Sequence, residues 1–125
     1  MKRGHSTGKP TKAEAARIVA AKEGPCMACE TLALQSLPRC DGEGCDYHHM
    51  LSGGRRRGHA YGIALCAFHH RGHPLPGMTS GEMRTRYGPS LMDGSRLFHA
   101  AFGDDESLLA QQNALLGIET KGEAA

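Results

Sequence analysis

Histidine and cysteine crowd into the middle of this chain in a pattern that points to metal chemistry. Six of the eight histidines (His48, His49, His59, His69, His70 and His73) fall within one short stretch. A Cys-x-x-Cys pair, Cys26 and Cys29, lies upstream, and Cys66-x-x-His69 lies inside the cluster. Together the two pairs offer four soft donors, the number and kind that close a tetrahedral structural zinc site. Cys40 and Cys45 are an alternative second pair in place of Cys66 and His69, because their spacing also suits zinc. The bland alternative is a set of buried thiols holding no ion.

His48-His49 asks for a different chemistry. Neighbouring residues on a strand face opposite ways, so one imidazole can hold a metal while the other turns toward a water. A neutral histidine with a pKa of about 6.5 accepts a proton from water at neutral pH. A metal beside it offsets charge on a phosphate and on its leaving 3′-oxygen. Alone, a His-His pair is more often structural. Followed by Leu65-Cys66-x-x-His69-His70, it becomes specific. Arg55-Arg56-Arg57, between the two histidine groups, would hold phosphates on either side of a scissile bond, although a solvated loop tip reads the same way. Arg71, next to His70, is a second phosphate candidate. His99 reads as a structural histidine.

The elements that must position these groups are short. Thr11-Lys12-Ala13-Glu14 is a capping box opening a helix through about Glu23, ended by Gly24-Pro25. Cys26–Cys29 reads as a tight turn and residues 30–45 as irregular chain. Two strands, about Tyr47–Leu51 and His59–Leu65, are joined through Gly53, Gly54, the arginines and Gly58, with the glycines supplying the turn. A helical turn over Ala67–Arg71 stops before Pro74 and Pro76. Helices are predicted over Ser80–Tyr87, Ser95–Phe102 and about Asp105–Leu116, the last stopped by Gly117.

At 125 residues, 39% hydrophobic, with 17 glycines and no tryptophan, the chain has material for one modest core. A metal staple compensates for that. Five cysteines, an odd number, and a polar, basic start without an apolar signal region speak for reduced thiols in a cytoplasmic protein. No apolar run is long enough to span a membrane. The net charge of +2 is unevenly spread, basic through the front and middle and acidic from Asp104 onward, which suits a polyanionic partner.

Tyr47-His48-His49-Met50-Leu51-Ser52-Gly53-Gly54-Arg55-Arg56, then Gly58-His59-x-Tyr61, then Leu65-Cys66-x-x-His69-His70-Arg71-Gly72, resembles the phage recombination-enhancement nucleases of the Ref family. Gly88-Pro89-Ser90-Leu91, Phe98-His99-Ala100-Ala101-Phe102-Gly103 and Gln112-Asn113 extend the likeness, which runs from roughly Gly24 to Gly117. The resemblance implies an α+β fold: a small zinc-stapled ββα-metal core of the HNH kind, with a β-hairpin, flanking short helices and many loops. It would occupy residues 11–118, between a flexible basic arm (1–10) and a flexible tail (119–125). It implies His49 as general base, His48 and His70 as ligands of a catalytic Mg²⁺ or Mn²⁺, and His73 or Asp46 as a reserve ligand. The middle Asn of the HNH pattern is missing, with Tyr61 in its usual place. His59 or Tyr61 is the substitute, and His59 also counts among the substrate-contacting residues with Arg55, Arg56, Arg57 and Arg71. The function implied is a phage- or prophage-encoded, metal-dependent endonuclease in a bacterial cytoplasm. It would cut single-stranded, displacement-loop or RecA-bound DNA, with zinc purely structural. The alternative is a non-catalytic zinc module that binds nucleic acid or a recombinase and has no need of His49.

Overall fold

The computed structural model describes residues 8–40, 44–52 and 55–117. The turn glycines Gly53 and Gly54, most of the basic arm and the C-terminal tail lie outside them. Helix α1 (Lys12–Glu23) opens with the expected reciprocal cap: the Glu14 amide donates to Thr11 Oγ1 at 3.1 Å, and the Thr11 amide donates to Glu14 at 2.9 Å. Ala21 is its only buried residue, so α1 is held by a few contacts, among them a hydrogen bond from Arg17 to Asn113.

The segment after α1 corrects the sequence reading. Cys26 is the N-cap of a second helix, α2 (Met27–Leu34), and Cys29 sits in its first turn. The Cys-x-x-Cys is therefore a helix start rather than an isolated turn, and the first part of the stretch expected to be irregular is helical. Met27, Ala28, Glu30, Leu32, Ala33 and Leu34 are good helix formers, and their propensity outweighs the nearby Pro38, which acts only beyond the C-terminus.

The hairpin is real but interrupted. β1 (Asp46–His49) pairs antiparallel with β4 (Gly62–Leu65), with Tyr47 opposite Ala64 and His49 opposite Gly62. β2 (Leu51–Ser52) pairs with β3 (Arg55–Arg56). Met50 breaks the first predicted strand: it is fully buried, donates to the Tyr61 carbonyl at 2.8 Å and accepts from the Arg57 amide at 2.9 Å. The second predicted strand starts late because Gly58, at φ +127°, begins a turn closed by the Tyr61 amide on the Gly58 carbonyl. Residues 58–61 leave the ladder there, and His59 leaves with them. Gly62 must be glycine, since a Cβ there would lie 2.5 Å from Cζ of Tyr47.

All four residues of β4 are buried, and its second edge is closed by one side chain. Gln112, from helix α6 (Asp105–Leu116), accepts from the Ala64 amide at 2.7 Å and donates to the Gly62 carbonyl at 2.9 Å. A neighbouring strand would satisfy the same groups. α3 (Ala67–Arg71) follows β4 directly and ends at Gly72, whose φ is +75°. α4 (Ser80–Tyr87), a 3-10 turn (Leu91–Asp93) and α5 (Ser95–Phe102) complete the shell, with all three later helices where the sequence placed them. Met27, Met50, Ile63, Leu65, Met83, Phe98 and Leu108 are fully buried. Each contributes about 1.5–3 kcal/mol of hydrophobic stabilisation. Three thiols and an imidazole lie at the centre of this core.

Candidate metal centre and active site

The buried donors are Cys26, Cys29, Cys66 and His69, whose ligand atoms all lie within 4.8 Å of one another. His69 Nδ1 is 3.3 Å from Cys66 Sγ and 3.7 Å from both Cys26 and Cys29. Tetrahedral zinc with Zn–S of about 2.3 Å and Zn–N of about 2.0–2.1 Å spans edges of roughly this size, so the set fits the ion. The tautomer fits too. His69 Nε2 donates to the Tyr87 carbonyl at 2.9 Å, which leaves Nδ1 bare toward the thiols. Without a cation the three sulfurs are in conflict. Burial, then contact with Cys29 and Cys66, pushes the Cys26 thiol well up, while contacts from Cys26 and Cys29 pull Cys66 far down. Cys29 is drawn down by Cys26, yet its contact with Cys66 and its burial carry it to about 12. Phe68 and Phe102 flank the His69 ring at 5.0 and 5.2 Å.

The alternative pair is not used in this cluster. The Cys40 carbonyl accepts from Cys29 Sγ, and half-buried Cys45 donates to the Gly24 carbonyl, each at 3.6 Å. Burial raises the Cys45 thiol to about 11. Both line a cleft of about 420 Å³ above the cluster, together with Lys22 and Arg39.

Strand alternation separates the two histidines of the His-His pair. On one face His48 meets His70 edge to face, with ring centroids 5.4 Å apart. His70 comes from α3, one residue after the zinc-cluster histidine. Its Nδ1 donates to Asp46 Oδ2 at 2.8 Å, so its Nε2 is the atom left for a ligand. Arg71 Nε reaches the same oxygen at 2.7 Å. These bonds, that from His70 foremost, hold the Asp46 carboxyl below its usual range. Burial, then the neighbouring His70, lowers His48 to about 4, so it is a neutral imidazole at pH 7. On the other face His49 Nε2 lies 3.1 Å from His59 Nδ1, and burial followed by Arg56 and His59 lowers its pKa.

A family model described as "Recombination enhancement, RecA-dependent nuclease" matches residues 10–117. The chain belongs to this family. Comparison with individually curated proteins finds no match. The recombination-nuclease match spans every described helix and strand, from α1 to α6.

In this family member the arginine turn divides. Arg55 and Arg56 are exposed on β3. Arg57 is partly buried, bonded to exposed Glu106 of α6 at 2.5 Å and stacked 4.5 Å over the Tyr61 ring. Its guanidinium thus has a carboxylate partner, as that of Arg71 has in Asp46. His59 is 8% exposed, and both ring nitrogens face protein partners. His73 is exposed just beyond α3, where its amide meets the Ala67 carbonyl at 3.3 Å. His99 Nδ1 donates to the Gly103 carbonyl at 2.8 Å, with Asp105 3.3 Å from its Nε2.

The residue missed from sequence is a partner of the histidines: Tyr47 donates to the His59 carbonyl at 2.6 Å. Asp46, expected as a reserve ligand, accepts from His70 Nδ1 at 2.8 Å. Alternation on β1 was the available signal for Tyr47, which shares a face with His49. Among the described residues no helix is long and apolar enough to cross a membrane.

Proposed function

We propose that this nuclease is an HNH-type DNA endonuclease that hydrolyses phosphodiester bonds with a divalent metal ion, acting on RecA-bound or single-stranded and displacement-loop DNA. One observation carries the proposal: His48 and His49 leave β1 on opposite faces, and His48 meets His70 of the helix that follows β4. Two strands and a helix thereby present a ligand pair on one side and a base on the other. Imidazole donors at His48 and His70, with Asp46 behind His70, fit Mn²⁺ more closely than Mg²⁺, which favours oxygen donors and retained water. An ion held there would offset charge on the phosphate and on the leaving 3′-oxygen.

The chain's own residues do the remaining work. His49 takes a proton from the attacking water, the new P–O bond forms, and the bond to the 3′-oxygen breaks. That oxygen leaves protonated by solvent, as a 3′-hydroxyl opposite a 5′-phosphate. Exposed Arg55 and Arg56 hold flanking phosphates, and Arg71, half exposed beside His70, holds the scissile one. The buried cluster holds zinc as a structural ion.

The test is plasmid nicking by the zinc-loaded protein with Mg²⁺ or Mn²⁺, with and without RecA and ATP, comparing wild type with His49→Ala. Metal- and RecA-dependent nicking that the variant loses is expected. A wild type that binds DNA but never cuts it would make the protein a zinc-containing binding module.

A further inference from the structure

We propose that His59 is the positioning residue of the His49 base, and that the Gly8 carbonyl, on the segment leading into α1, holds His59 to that task. His49 would be the base of the nuclease proposed above, so this assignment rests on that reading. Three contacts converge on His59. Its Nδ1 lies 3.1 Å from His49 Nε2, its Nε2 lies 2.8 Å from the Gly8 carbonyl oxygen, and its own carbonyl accepts from Tyr47 Oη at 2.6 Å. The two rings stand edge to face at 5.2 Å and 69°, with Tyr47 on another side of His49 at 5.2 Å.

Proton positions follow from donor and acceptor chemistry. A carbonyl only accepts, so His59 Nε2 carries the hydrogen, and in a neutral ring Nδ1 is then bare. His49 Nε2 must therefore donate to it, which leaves His49 Nδ1 as the bare nitrogen. One tautomer of His49 is selected, and its free lone pair is the one that can take a proton from water. As His49 becomes an imidazolium, its bond to His59 turns charge-assisted and strengthens, a gain made during reaction and absent before it. With its two ring nitrogens on His49 and the Gly8 carbonyl, His59 acts through His49.

Gly8 has φ +56°, a left-handed conformation that glycine adopts without cost. It aims a backbone carbonyl across the molecule at a residue of the hairpin loop. The Gly8 backbone is thus part of the catalytic apparatus.

The experiment uses full-length, zinc-loaded protein and two readouts. Nitrogen-15 NMR of the histidines should find the Nε2–H tautomer at both His49 and His59. Cleavage kinetics should show His59→Ala losing about 10–100-fold in kcat, as orienting partners typically do, with KM and the metal requirement little changed. His59→Asn, which returns an acceptor near the Nδ1 position, should recover most of that loss. His59→Gln, which reaches toward Gly8 but leaves His49 without an acceptor, should not. Gly8→Pro, whose φ is fixed at about −65° and so re-aims the carbonyl, should lower kcat and mix the His59 tautomers. An Nδ1–H tautomer at His49, or folded Asn and Gln variants with equal rates, would overturn the proposal. The tautomer result stands apart from cleavage: if the wild type cuts nothing, the nuclease reading fails while the NMR still decides the relay.

Discussion

In the proposed mechanism His49 is the base while His48 and His70 hold the metal, so loss of His49 and loss of His70 should look different. His49→Ala should bind metal and DNA nearly as wild type while cleavage falls about 10²–10⁴-fold, the usual share of a general base. His70→Ala should lose the metal instead, and raising Mn²⁺ should restore part of its activity but little of that of His49→Ala. A metal titration of cleavage by both variants checks this. His48 also links stability to pH. Its folded pKa of about 4 lies below the unfolded value of about 6.5, so the unfolded chain binds more protons between those limits. The His48 contribution is therefore complete above about pH 6.5 and is lost as pH falls toward 4. In urea titrations of zinc-loaded protein across that range, His48→Gln should lose stability less steeply than wild type. These residue types and spacings were plain in the sequence. Their partners were not, because Asp46, His59 and the Gly8 carbonyl meet the histidines only after the hairpin folds and residues 58–61 leave the ladder.

At the scale of elements, the hairpin and α6 form one unit. Arg55→Ala with Arg56→Ala should weaken DNA binding and flatten its salt dependence by about two charges' worth, with little effect on folding. Arg57→Ala should act on stability instead, since it leaves Glu106 and the Tyr61 ring without their cation. Binding measured against salt, beside thermal melting of each variant, separates the two effects. Gln112→Ala should cost more. It strands a buried amide and a buried carbonyl on β4, at about 1–3 kcal/mol for each group left unsatisfied. Urea unfolding reads that loss directly. Helices with strong caps, such as α1 and α4, were legible because Thr11-x-x-Glu14 and Thr79-x-x-Glu82 are local signals. The interruption at Met50 was not legible, because its cause is burial of a methionine against elements distant in sequence.

The whole molecule is organised around its buried ligand set. Structural zinc sites contribute apparent folding free energies on the order of 10 kcal/mol, which is large beside the few aliphatic residues of this core. Exhaustive chelation, or Cys29→Ser, should therefore abolish the thermal transition. A transition that survives chelation would remove the ion from the account of stability. The four donors were identifiable from their two-residue spacings, but the choice between Cys66 with His69 and Cys40 with Cys45 was not. That choice depends on β4 packing against α2, which brings Cys66 and His69 to the start of that helix, a long-range event no local pattern encodes.

His69 and His70 are consecutive on a helix of five residues, one turned into the core and the other out toward Asp46 and His48. A mutational scan scored only by DNA cleavage would therefore place two unlike kinds of defect in the same bin. Changes at Cys26, Cys29, Cys66 or His69 tilt or melt the helix that carries His70, and they would register as dead enzyme alongside changes at His70 itself. Scoring the same library for protein abundance would pull the two groups apart. The core ligands should vanish from both screens, whereas His70 and His49 variants should persist as full-length, inactive protein. Such variants would be usable as competitors that occupy the wild-type enzyme's DNA without cutting it.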